Sequence, residues 1–127
     1  MNQVVAIKEK AILYCRSVTG NRAELQSQSE ALTEYAKANG LSVIRTILES
    51  GTMDALTYNN FRLQAKSCEF DVLLISELEV LGNSPIEIMH EVNFLTENGV
   101  KVISIKDGEL NAETLPRAFL KCFRFVK

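Results

Sequence analysis

The sequence predicts an α/β domain of three layers, a mostly parallel four-stranded sheet flanked by helices. Three observations predict it. Apolar runs of strand length recur at residues 11–15, 41–48, 70–76 and 100–105. Between them lie stretches with helical spacing of apolar residues, and Gly40 and Asn98-Gly99 stand as helix stops. Strand and helix therefore alternate as β-α-β-α-β-α-β-α, which implies parallel strands with helices on both faces.

The first unit, residues 11–40, organises the rest. Ala11-Ile12-Leu13-Tyr14-Cys15 reads as a strand, residues 16–21 as a polar turn, and Leu25, Leu32, Tyr35 and Ala36 as the apolar face of a helix. Residues 41–48, LSVIRTIL, are rich in β-branched residues and form the second strand. A loop at 49–56 and a short helix at 57–68, with Phe61, Leu63 and Ala65, follow. FDVLLIS at 70–76 is nearly all apolar, as in a strand covered on both faces. After the polar loop 77–84, Ser84 caps and Pro85 starts a helix with Ile88, Val92 and Leu95 on one face and Met89 beside them. VKVISI at 100–105 is the fourth strand, residues 106–111 a turn, and residues 112–125 a final helix with Leu115, Phe119, Leu120 and Phe123 apolar. So apolar a terminal helix is expected to pack on a partner subunit.

Composition narrows the class. The chain has 127 residues, 46% hydrophobic and 24% charged, which suits one domain, residues 1–127. No apolar run approaches the ~20 residues of a membrane span. Lysines inside the N-terminal apolar pattern make a poor signal peptide. Three widely separated cysteines, Cys15, Cys68 and Cys122, suit neither a disulfide frame nor a zinc site, so a cytoplasmic protein with reduced thiols is expected. The net charge of −2 is unlike that of a free-standing nucleic-acid binder. Contact with DNA would require an attached basic module, and the basic residues of the tail read as a solvated helix face.

In open α/β sheets the site lies at the carboxyl ends of the strands. Three loops share that edge, at 16–22, 49–56 and 77–84. Their residues carry a resemblance. Tyr14-Cys15-Arg16-Ser17-Val18-Thr19 is similar to the Tyr-x-Arg-x-Ser-Thr signature of the serine recombinases, the resolvase/invertase family. The run 25–32 with Gln28 resembles that family's Leu-x-x-Gln-x-x-Ala-Leu helix start. Ser50-Gly51, the loop Leu78-Glu79-Val80-Leu81-Gly82-Asn83-Ser84, and Gly99-Val100-Lys101-Val102 match its later motifs in order. The resemblance spans residues 10–105.

That family cuts DNA by transesterification. A serine hydroxyl attacks a phosphodiester while arginines neutralise the phosphate, which requires an exposed nucleophile and fixed positive charges. Arg16, Tyr14 and Gln28 are kept. The nucleophile's position holds Val18, with Ser17 one residue early and therefore facing the other side of the strand. The two arginines expected after strand three are Val80 and Asn83, and the acid there is Glu79. The arginine expected after Ser50-Gly51 is replaced by Leu56, Thr57 and Tyr58. The resemblance thus implies a recombination-associated domain that has lost its active site and serves as a dimerising or regulatory module. Its vestigial site would be Ser17, Arg16, Gln28 and Glu79. Its partner would be a second copy or another recombinase, met through the final helix, and no independent DNA-reading module is expected.

Two alternatives stay open. In one, Ser17 is an active nucleophile helped by Arg16, Arg22, Arg62 and Glu79. In the other, Ser17-Val18-Thr19-Gly20-Asn21 resembles the phosphate loop of flavodoxins and binds flavin mononucleotide. Against it, Arg22 stands where a hydroxyl should close the loop and the chain has no tryptophan to stack on the ring. A cysteine phosphatase loop is excluded because six residues separate Cys15 and Arg22, one too many; Cys15 reads as core. His90 has no diagnostic partner and reads as solvated. Glu77 and Glu79 read as solvated loop acids without a basic neighbour. No metal and no cofactor are expected.

Overall fold

The computed structural model describes residues 8–51, 63–67 and 69–122. Strand β1 (Lys10–Ser17) leads through helix α1 (Arg22–Ala38) to β2 (Ser42–Ser50). Residues 63–66 are helical, within the helix expected at 57–68; Phe61, Arg62 and Cys68 lie outside the described residues. Then come β3 (Val72–Ile75), a 3-10 turn (Leu78–Leu81), α2 (Pro85–Glu97), β4 (Lys101–Ser104), β5 (Gly108–Leu110) and α3 (Leu115–Cys122).

The sheet has five strands in the order β2-β1-β3-β4-β5. Pairings β1–β2, β1–β3 and β3–β4 are parallel, and β4–β5 is antiparallel. The fifth strand replaces the turn expected at 106–111. Its three residues, Gly-Glu-Leu, are too short and polar to show a period. Leu110 nonetheless packs fully buried opposite Val102.

The alternation of side chains along β1 divides the core into two layers. Leu13 and Cys15 pack with Leu25, Leu32 and Ala36 of α1. Ile12 and Tyr14 face the opposite layer, with Ile88, Val92 and Leu95 of α2 and Leu115 and Ala118 of α3. All residues from Ala11 to Ser17 are buried, so β1 is the central strand covered on both faces. β3, covered likewise, is four fully buried apolar residues, as its sequence predicts.

Capping fixes where the helices begin. Asn21 accepts a hydrogen bond from the Glu24 N–H at the start of α1. Ser84 accepts from the Glu87 N–H at the start of α2, Pro85 fills the first turn, and the Glu87 carboxylate accepts from the Asn83 N–H at 2.8 Å. The final helix starts at Leu115, later than the expected 112. Asn111 and Thr114 hold residues 111–114 in a side-chain-bonded turn instead. Among the described residues no helix is long and apolar enough to cross a membrane.

Strand order reverses between β1 and β3. The chain runs from β1 outward to β2, then returns across β1 to β3. The carboxyl ends of β1 and β3 therefore flank the switch point, where open α/β sheets leave a crevice.

Candidate active site

Arg16 and Ser17 end β1, and alternation sends their side chains to opposite faces of the sheet. Arg16 turns toward the 3-10 turn. Its Nε donates to the Val80 carbonyl at 2.9 Å, one terminal nitrogen to the Gly51 carbonyl at 3.1 Å, and the other to the Glu79 carbonyl at 2.9 Å. A longer contact of 3.4 Å reaches the Asn83 side-chain oxygen. The guanidinium thus ties three segments together, and Arg16 is 6% exposed.

Ser17 turns toward α1. Its Oγ accepts from the Asn21 N–H at 3.0 Å and lies 3.4 Å from the Thr19 hydroxyl. Ser17 is 1% exposed. Its hydroxyl closes the turn that leads into the helix, a local side-chain-to-backbone bond of the kind serines make at helix entrances. Val18, by contrast, is 66% exposed at the edge of the crevice.

Gln28 reaches back from α1 and clamps the main chain of Arg16. Its Oε1 accepts from the Arg16 N–H at 3.0 Å and its Nε2 donates to the Arg16 carbonyl at 2.9 Å. This two-point clamp fixes α1 against the end of β1 and points the amide at backbone.

The crevice has a volume of about 180 Å³ and is lined by Arg16, Val18, Thr19, Glu24, Gln28, Glu77, Glu79 and Val80. Among these described residues three carboxylates face one guanidinium, and that guanidinium is already bonded to carbonyls. Against its reading as a solvated loop acid, Glu79 has one carboxylate oxygen buried with no hydrogen-bond partner among the described residues. Glu77 corrects the expectation of a loop acid with no basic neighbour: it pairs with Lys106 at 3.4 Å. A turn after β4 supports the loop. The Asp107 carboxylate accepts from the Leu78 N–H at 3.1 Å and from the Ser104 hydroxyl at 2.8 Å.

Of the residues suggested as helpers of Ser17, Glu79 and Arg16 share the crevice. Arg22 lines a separate cavity of about 520 Å³ between α1 and β2, with Leu25, Leu48 and Ser50 among its walls. Arg62, like Leu56, Thr57 and Tyr58, lies outside the described residues. Sequence reasoning did not single out Glu24 or Asp107. The spacing Ser104-x-x-Asp107 is a turn signal that could have marked the second. His90 is exposed on α2, as expected, and beside Asn93, Phe94 and Glu97 it lines a shallow surface hollow. Among the described residues no three His, Cys, Asp or Glu side chains gather in a metal-binding arrangement.

Burial sets the ionisation of the strand's two weak acids. The Cys15 thiol is pushed up to about 11 by burial. The Tyr14 phenol is raised chiefly by burial, with the negative charge of Glu49 adding to it. Cys15 is fully buried, as its reading as a core residue expects.

The final helix does not turn all of its apolar residues outward, as the expected packing on a partner subunit would have them. Phe119 packs against the α2-side core, whereas Leu120 is 69% exposed. Phe123 and Phe125 lie outside the described residues.

Solved structures share this architecture. The N-terminal catalytic domain of TP901-1 integrase superposes with a TM-score of 0.75 at 23% identity, covering 88% of this chain and 90% of that one. A resolvase family site-specific recombinase from Streptococcus pneumoniae gives 0.75 at 17% identity, covering 91% and 86%. The C-terminal catalytic domain of ISC1926 TnpA, an IS607-like serine recombinase, gives 0.66 at 21% identity, covering 89% and 79%. At these identities the likeness speaks for the fold. Lineage follows from the sequence pattern described as "Resolvase, N terminal domain", which matches residues 11–126, and it sets aside the flavodoxin alternative. The chain belongs to the resolvase N-terminal domain family, that of the serine recombinase catalytic domains.

Proposed function

We propose that this chain is a recombination domain that keeps the serine-recombinase scaffold without cleaving DNA, and that it acts as a self-associating or regulatory module alongside DNA recombination. The observation that carries this reading is the state of Arg16. Its guanidinium is buried and bonded to the carbonyls of Gly51, Glu79 and Val80. Phosphoryl transfer needs donors aimed at the charge that develops on the phosphate, and each missing donor costs on the order of a hundredfold to a thousandfold in rate. Among the described residues the crevice presents Glu24, Glu77 and Glu79 instead. A phosphodiester entering it would meet carboxylates and the methyls of Val18.

For Ser17 to act as nucleophile, its hydroxyl would have to leave the Asn21 N–H and cross to the Arg16 face of the strand. Incubation with supercoiled plasmid, followed by denaturation and a search for protein covalently joined to DNA, tests this directly. The reading predicts no adduct. An adduct that disappears in Ser17→Ala would overturn it.

Self-association through the final helix is part of the same proposal, with the exposed Leu120 as its anchor. The working environment is the cytoplasm, and DNA is met through a partner that supplies the basic surface. A Leu120→Asp chain is expected to lose mass in light scattering relative to the native chain if this helix carries the contact.

A further inference from the structure

β2 is the sheet's edge strand, pairing with β1 through its whole length. Two bonds fix which way its backbone faces. The Ser42 N–H donates to the Glu9 carbonyl and the Gly51 N–H to the Ser17 carbonyl, each at 2.8 Å. Counting back from Gly51, a parallel ladder turns Glu49, Ile47 and Arg45 toward β1 and Ser50, Leu48 and Thr46 away. The register shift opposite Ala11/Ile12 sits upstream of these residues and leaves the count intact. Thr46, Leu48 and Ser50 are all exposed, Leu48 at 55%. The edge lacks the devices that usually block pairing: no proline, no lysine and no bulge between Thr46 and Ser50.

We infer that this edge pairs antiparallel with β2 of a second copy, about a two-fold axis at Leu48. The strand is self-complementary in that register. Leu48 meets Leu48 on the axis, and Thr46 meets Ser50 of the second copy, so the outward N–H and C=O groups of all three residues find partners. No like charges fall opposite one another. On the other face of the sheet Arg45 stands diagonal to Glu49 of the second copy, within reach of long side chains. The axis also runs the two α1 helices antiparallel. Arg22, at one end of the cavity that Leu48 lines, then faces the Glu30 end of the second copy's cavity. Opposite charges thus meet at two levels while the apolar Leu48 pair closes the centre. A foreign strand would satisfy the backbone groups but not this charge pattern. The surface is distinct from the final helix, so the two contacts stand or fall separately.

The two-fold places residue 48 opposite itself at a Cα separation of about 5.5 Å, inside the range a disulfide spans. In a chain carrying Cys68→Ser and Cys122→Ser, Leu48→Cys is expected to give a disulfide-linked dimer on mild oxidation, while Ile44→Cys on the same strand gives far less. In sedimentation velocity, with Leu120→Asp present to remove the final-helix contact, Leu48→Lys is expected to convert the remaining dimer to monomer without altering circular dichroism. Arg45→Glu should weaken the dimer at least tenfold, and Arg45→Glu with Glu49→Arg should restore it. Leu120→Asp should leave the Leu48→Cys crosslink unchanged, which separates this contact from the final helix. A native chain that is monomeric at hundreds of micromolar, a Leu120→Asp dimer untouched by Leu48→Lys, or equal crosslinking at positions 44 and 48 would each overturn the inference.

Discussion

Arg16 donates from Nε to the carbonyl of Val80, 2.9 Å away, at a loop position where the resemblance to recombinases expects a second arginine. The valine contributes only its main chain to the guanidinium, and its side chain packs in the α2-side core. One arginine has become a strut, and the residue that would have stood beside it has become part of what it holds up.

The clamp from Gln28 should matter to stability in the same way. Gln28→Leu removes the acceptor of the buried Arg16 N–H and the donor to its carbonyl. Leaving such groups unpaired costs about 1–3 kcal/mol. Urea unfolding should show a loss in that range; a change below a few tenths would mean the bonds are not formed in solution.

Ser17 should behave as a turn residue. Ser17→Ala removes the acceptor of the Asn21 N–H. A destabilisation of about 1 kcal/mol is expected, with DNA binding unaltered. Loss of DNA binding with stability unchanged would contradict the assignment.

The fold was legible because β1 and β3 carry unbroken apolar runs and because Ser84-Pro85 and Asn98-Gly99 mark both ends of α2. The opposite facing of Ser17 and Arg16 was legible too, from strand alternation. The fate of Arg16 was not. Its partners are main-chain carbonyls of residues 51, 79 and 80, and a carbonyl leaves no mark on residue type. Glu24 joined the crevice only once the Asn21 cap fixed where α1 begins. That Phe119 packs inward while Leu120 stays exposed was not legible either, because its core contacts depend on how α3 sits against the sheet.

Alkaline pH should weaken the fold. The thiol of Cys15 ionises near 9.0 ordinarily and is pushed up to about 11 here by burial. A raised acid of this kind stabilises fully below its unfolded value. That contribution is lost as pH rises from about 9 through about 11, because only the unfolded chain releases the proton easily. Tyr14 shifts in the same direction for the same reason. The urea midpoint should fall across that window, less steeply in Cys15→Ala, and a thiol reagent should not label Cys15 in the native chain at neutral pH. Rapid native labelling of Cys15 would contradict its burial.

Charge in the crevice should repel nucleic acid. With Glu24, Glu77 and Glu79 all changed to Gln, affinity for a short oligonucleotide at low salt is expected to rise on the order of tenfold, about 1.4 kcal/mol. Screening should erase most of the gain at physiological ionic strength. Unchanged affinity at low salt would show that DNA does not approach this edge.

The most direct measurement is the unfolding free energy of Arg16→Ala against the native chain in urea. A guanidinium that joins Gly51, Glu79 and Val80 should cost about 3 kcal/mol or more when removed, since buried carbonyls lose a charged donor. An arginine kept open for phosphate would leave stability unchanged, or raised, when deleted, and that result would contradict the account.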